Sequence, residues 1–144
     1  MSKDFLTSRQ LRIDGWVRDA LVTTLELLES GKMKHTQTDD VRYERVPMVD
    51  RQFSHDFNMG EWNFSHECGS ICCIGGTAEL LSGRGPHTIS TTQTSELHEL
   101  FYPDDIETFY ADITPAQAGQ ALRNYLTTGE AKWMVVLGEV ELED

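Results

Sequence analysis

From Ile13 to Ser30, Ile13, Trp16, Val17, Ala20, Leu21, Leu25 and Leu28, with Thr24 among them, recur at steps of three and four. That period predicts an amphipathic helix with one stripe turned inward. Asp14 stands where a carboxylate meets unpaired backbone amides, Gly31 supplies a left-handed stop, and Ser8 offers an earlier start. A second helix is expected over Ile71 to Ser82, with Ile74, Ala78 and Leu81 on one face. Its Gly75-Gly76 pair costs about 1 kcal/mol per glycine relative to alanine, which implies a tight helix contact or a break. Ser95 to Phe101 reads as a short helix closed by Pro103. Thr114-Pro115-Ala116-Gln117 is the strongest local signal: a capping hydroxyl, proline at the first helical position and glutamine three residues past the cap. The helix it opens runs to about Thr128, carries Ala118, Ala121, Leu122, Tyr125 and Leu126 on one stripe, and stops at Gly129.

Between these segments the pattern weakens. Residues 32–64 read as mostly loop, with an extended piece around residues 41–49. Phe53, Phe57, Met59, Trp62 and Phe64 are spaced irregularly, and so many large apolar groups are expected to fold back over a helical core. The tail from Trp133 to Leu142 fits a strand or a closing helix equally well. The expected architecture is a single domain over residues 1–144: a mainly α, compact bundle of about four helices, with a small β-hairpin drawn from the middle loop and tail.

Composition changes this picture only through its charge. The net charge is −12, yet residues 1–51 hold nine basic and nine acidic side chains. All the imbalance lies in residues 52–144, with fifteen acids against Arg84, Arg123 and Lys132, and no lysine or arginine stands between Gly85 and Leu122. That stretch contains Glu96, Glu99, Asp104, Asp105, Glu107 and Asp112. Such a surface repels phosphates, so direct nucleic-acid binding is disfavoured. It attracts a basic partner protein, most of all one whose surface normally grips nucleic acid. Simple solubility is the competing explanation of the same charge. If the acids form a docking surface, Tyr102 and Tyr110 are its natural aromatic anchors.

Apolar runs are too short for a membrane span, and the first residues lack the basic start and apolar stretch of a secretory signal. The expectation is a cytoplasmic protein with no membrane partner and no cofactor. A homo-oligomer burying the apolar groups from Phe53 to Phe64 is a further option.

The chemistry-bearing cluster is His66-Glu67-Cys68-Gly69-Ser70-Ile71-Cys72-Cys73. His66, Cys68, Cys72 and Cys73 supply four zinc-type donors, but from one stretch rather than from two separated pairs. A nucleophilic cysteine helped by histidine, and a disulfide from Cys68 to Cys72 or Cys73, are the catalytic and redox alternatives. The bland alternative is that the thiols act as small buried hydrophobes, which leaves the cluster without catalytic or metal-binding residues. A weak divalent site at Asp104-Asp105-x-Glu107 lacks the alternating ligands of a calcium loop.

Three blocks carry a resemblance: Phe57-Asn58-Met59-x-x-Trp62; Cys68-Gly69-Ser70-x-x-Cys73-x-x-Gly76-x-Ala78; and Leu100-Phe101-x-Pro103 leading to Ile113-Thr114-Pro115-x-Gln117-Ala118 and Thr128-Gly129-x-x-x-Trp133. Together they resemble a family of small bacterial and phage-associated proteins of unassigned function. Thr77 stands where that group commonly has an aromatic residue, and Cys72 is additional to its Cys68 and Cys73 pair. The resemblance implies a mainly helical domain and carries over no catalytic residue. The function expected from the residues is therefore a non-catalytic acidic interaction protein, of phage accessory or anti-defence type, with a thiol site at Cys68, Cys72 and Cys73 as the alternative.

Overall fold

The computed structural model describes residues 5–35, 53–59, 64–66, 69–83, 89, 93–104 and 106–139, and of these residues 53–56, 64–66 and 69–72 through their backbone alone. The fold is mainly helical. All four helices expected from the sequence are present, as α2 (Gly15–Ser30), α3 (Ile74–Ser82), α4 (Ser95–Phe101) and α5 (Pro115–Thr128). Two single-turn helices join them, α1 (Ser8–Leu11) and α6 (Trp133–Val136). Among the described residues no helix is long and apolar enough to cross a membrane.

Helix α2 is the central element and packs on both α3 and α5. Val17, Ala20, Leu21, Thr24, Leu25 and Leu28 are its buried stripe, and the Thr24 hydroxyl donates to the Ala20 carbonyl (2.8 Å), so that one polar group in the stripe is satisfied. Gly31 ends it at φ +79°, where a side chain is strained. The expected start at Ile13 is two residues early: Ile13 is buried but lies outside the helix, in the bend that follows α1. Asp14 takes the N-cap position without capping through its carboxylate, and its N–H instead donates to Gln93 Oε1 (3.1 Å). Ser8 does open a helix, but a separate one, capped reciprocally by Thr7 and Gln10 and broken by Arg12 at φ 60°.

Helix α5 begins as its sequence dictates. Thr114 accepts the Gln117 N–H and Gln117 accepts the Thr114 N–H, closing the capping box, and Gly129 ends the helix at φ +89°. Gly119 lets α5 approach α2, since a Cβ there would stand 3.3 Å from Leu28 Cβ. The Arg123 guanidinium clamps the same pair from outside, with both nitrogens on the Glu29 carboxylate (2.6 and 2.7 Å). That bond holds the Glu29 carboxyl below its ordinary range. The segment before α1 is tied in as well: Leu6 N–H donates to the Leu126 carbonyl (2.7 Å), and Arg18 Nε–H donates to the Leu6 carbonyl (3.0 Å).

The β component is larger than a hairpin, with two of its strands in the middle loop as expected and none, among the described residues, in the tail. Strands β1 (Lys34–His35), β2 (Phe53–Phe57), β3 (Phe64–His66) and β4 (Gly69–Cys72) make a sheet in the order β1-β2-β4-β3. β1 and β4 both run parallel to β2, and β3 and β4 form the antiparallel hairpin. The segment 41–49 lies outside the described residues. In the tail Trp133 turns inward and starts α6, the helical option, and the alternation at Val140 to Leu142 lies outside the described residues. Phe57 and Met59 are buried, as expected of groups that fold back over the core, and two members of the supposed oligomer patch are thereby spent inside the chain.

The cysteine-bearing helix is shorter than its periodicity predicts. Ile71 and Cys72 belong to β4, paired with β2 and β3, and helical backbone begins only after the extended residue Cys73. Gly75 and Gly76, the pair that raised the prospect of a break, sit buried in the first turn of α3.

Candidate functional site

The seven residues of α4 divide cleanly between core and solvent. Thr94 caps the helix by accepting the Leu97 N–H (3.0 Å), and Leu97, Leu100 and Phe101 are buried. With those three turned inward, helical geometry sends Ser95, Glu96, His98 and Glu99 outward. The helix is moored at its far end by Trp133, whose Nε1–H donates to the Leu100 carbonyl (3.1 Å), one of the terminal carbonyls that no helical N–H can reach.

The outward face opens onto a cleft of about 490 Å³ lined by Ser95, Glu96, His98, Glu99, Tyr102, Asp104 and Glu130. Four of the eight residues expected to bind a partner, Glu96, Glu99, Tyr102 and Asp104, thus meet around one opening. Glu130 joins them from the link between α5 and α6, and nothing in the local sequence pattern places it there. Glu96 and Glu130 also line a second hollow of about 200 Å³, next to Arg12 and Gln10. Arg12 Nη2 lies 3.4 Å from Glu96 Oε1, but both groups are exposed, so the pair contributes little binding energy of its own.

The remaining expected residues are placed differently. Asp105 lies outside the described residues. Glu107 and Asp112 are exposed on the connection between α4 and α5, away from the cleft lining. Tyr110 is half-buried and its hydroxyl donates to the Pro103 carbonyl, so its polar end is used to brace this connection. Burial, then the Asp104 carboxylate, pushes the Tyr110 hydroxyl above its ordinary value. Tyr102 is raised as well, first by burial and then by the charges of Cys73, Glu79 and Tyr110. Between Glu107 and Asp112 stands Phe109, which was not singled out by its sequence spacing and is 77% exposed.

Of the thiol cluster, Cys73 is the member described with its side chain. Cys73 is buried at the N-terminus of α3, and burial pushes its thiol up to about 11, although the amides of Gly76 and Gly75 pull the other way. A protonated, enclosed thiol is a poor nucleophile. His66 and Cys72 end β3 and β4, their side chains and the whole of Cys68 lying outside the described residues. Among the described residues no group of three His, Cys, Asp or Glu could hold a metal ion. Glu79, in the second turn of α3, is also buried and accepts the Ile89 N–H on Oε2 (3.0 Å), a role that its place on the helix gives no means to foresee.

With Cys68 and Cys72 replaced by serine, Cys73 should react with a disulfide reagent at pH 8 at least about 100-fold more slowly in the folded chain than in urea. The ordinary thiol value near 8.5 leaves a sizeable thiolate fraction at that pH, and a value near 11 does not. Equal labelling rates in the two states would show that Cys73 is open to solvent.

No family model, curated protein or solved structure matches this chain. Its functional reading rests on the geometry just described.

Proposed function

We propose that the protein is a non-catalytic acidic interaction module whose α4 cleft receives lysine and arginine side chains of a basic partner protein. The observation that supports this reading is the convergence of Glu96, Glu99, Asp104 and Glu130, with Tyr102 beside them, on a single opening. Four carboxylates around one concave surface focus a negative field, which speeds encounter with a basic surface and rejects acidic ones. Tyr102, 38% exposed, adds an aromatic face on which a guanidinium can stack. Arg123, the one basic residue of α5, is already committed to Glu29. A partner surface that otherwise grips nucleic-acid phosphates has the matching charge, which is the anti-defence or phage accessory role the reading extends to.

The test is capture from host lysate at low and high salt, with the wild-type chain and a variant carrying Glu96→Gln, Glu99→Gln, Asp104→Asn and Glu130→Gln. Wild type should retain a basic protein at low salt and release it at high salt, and the variant should bind it at least about tenfold more weakly. Capture of the same protein by both chains, independent of salt, would show that the acids serve solubility instead.

A further inference from the structure

We infer that Phe109 is the apolar anchor of this docking surface, and that the partner presents a small apolar pocket rimmed by lysine or arginine. The inference rests on the proposed acidic interaction module and adds to it what the partner must offer besides charge. Among the described residues Phe109 is by far the most exposed of the large hydrophobic side chains, at 77%. A single exposed apolar group is ordinary on a protein surface. What sets Phe109 apart is how firmly its backbone is held. On its N-terminal side the Glu139 carboxylate accepts the Glu107 N–H (2.7 Å), the Thr108 N–H (2.9 Å) and the Thr108 hydroxyl (2.5 Å). On its C-terminal side Phe109 caps the one-turn helix Tyr110–Asp112, its carbonyl accepting the Asp112 N–H (2.9 Å). Ile113 then enters the core, and His35 Nε2–H donates to the Ala111 carbonyl (2.7 Å) from strand β1. The Tyr110 hydroxyl on Pro103 closes the base of the loop.

A loop braced from four directions has its backbone ordering already in place, so binding has only the ring's own rotamer to fix, a condition that favours the affinity a buried aromatic adds. Full burial of a phenylalanine is on the order of a 10- to 100-fold gain in binding. The charge around it selects the partner. Glu107 and Asp112 flank the ring in sequence and are exposed, and Asp104, close enough to raise the Tyr110 hydroxyl, continues the acidic surface into the cleft. No lysine or arginine lies between Gly85 and Leu122. An anionic lipid surface or a second copy of a chain with net charge −12 would meet like charge here.

The probes are two synthetic 14-residue peptides of equal positive charge, one of leucine and lysine at amphipathic helical spacing and one with serine in place of each leucine. Calorimetric titration should show wild type binding the leucine peptide at least tenfold more tightly than the serine peptide. Phe109→Ala should bring that ratio close to one while leaving serine-peptide binding and the thermal midpoint unchanged, and Phe109→Leu should restore part of it. The variant with the cleft acids neutralised should lose both peptides. A Phe109→Ala chain that keeps the full ratio overturns the anchor and leaves the acidic module standing. Undiminished serine-peptide binding by the neutralised variant overturns the acidic module itself. Phe109-dependent binding to phosphatidylcholine vesicles, or Phe109-dependent dimerisation in sedimentation, would also overturn the inference by giving the ring another occupant.

Discussion

Trp133→Ala is expected to lower the unfolding free energy by about 3–5 kcal/mol, the range for deleting a large buried aromatic. The indole is 3% exposed, and its N–H is the hydrogen-bond partner of the Leu100 carbonyl. The substitution therefore opens a cavity and strips a buried carbonyl of its donor at the end of α4. Trp133→Phe separates the two losses, since it keeps most of the apolar volume and removes the hydrogen bond, for a cost of about 1–3 kcal/mol. For a chain of this length each kcal/mol corresponds to roughly 2–4 °C in thermal midpoint, so melting curves resolve the two variants. The alanine variant should also weaken the cleft, because the link that carries Glu130 runs directly into Trp133 and loses its tie to α4. Equal stability of the alanine variant and wild type would mean that Trp133 is not the mooring of α4.

Gly119→Leu should cost about 1–3 kcal/mol or more through overpacking of the buried seam between α2 and α5. The Cβ alone would lie 3.3 Å from Leu28 Cβ, and the rest of a leucine side chain would have to displace the seam between α2 and α5. Gly119→Ala balances two effects of similar size. Alanine gains about 1 kcal/mol of helix propensity and asks Leu28 to yield by a few tenths of an ångström. A chemical denaturation series of the two variants should place alanine within about 1 kcal/mol of wild type and leucine well below it. Tolerance of leucine would show that the helices are free to move apart at Gly119.

The helical part of the fold was legible because its signals are local. Thr114 to Gln117 specified both bonds of a capping box, and the three- and four-residue spacing in α2 named all six of its buried residues, along with Trp16, which is only half-buried. The sheet was not legible, since its strands are two to five residues long and pair across the chain, as when Phe53 meets Ser70. Such strands carry too few positions for a two-residue period to show. Ile71 and Cys72 were absorbed into a helical pattern for the same reason: a short apolar run fits either period. Of the site, Glu96, Glu99, Tyr102 and Asp104 were readable because they are close in sequence. Glu130 entered only through the tertiary placement of the link into α6, and Phe109 only through exposure, which composition and spacing do not encode.

The seam between α2 and α5 has a consequence for how the chain is made. Its two sides are separated by everything from Gly31 to Thr114, and the Leu6 amide finds its acceptor only at Leu126. At synthesis rates of about 5–20 residues per second, α2 leaves the ribosome on the order of 5–20 s before the helix that covers its apolar stripe. For that interval the part of the stripe that faces α5, with Leu28 opposite Gly119, is open to the chaperones that bind nascent chains, while α3, made earlier, can already cover the rest, so holdase supply and the pace of translation between α3 and α5 are expected to bear on the yield of folded protein.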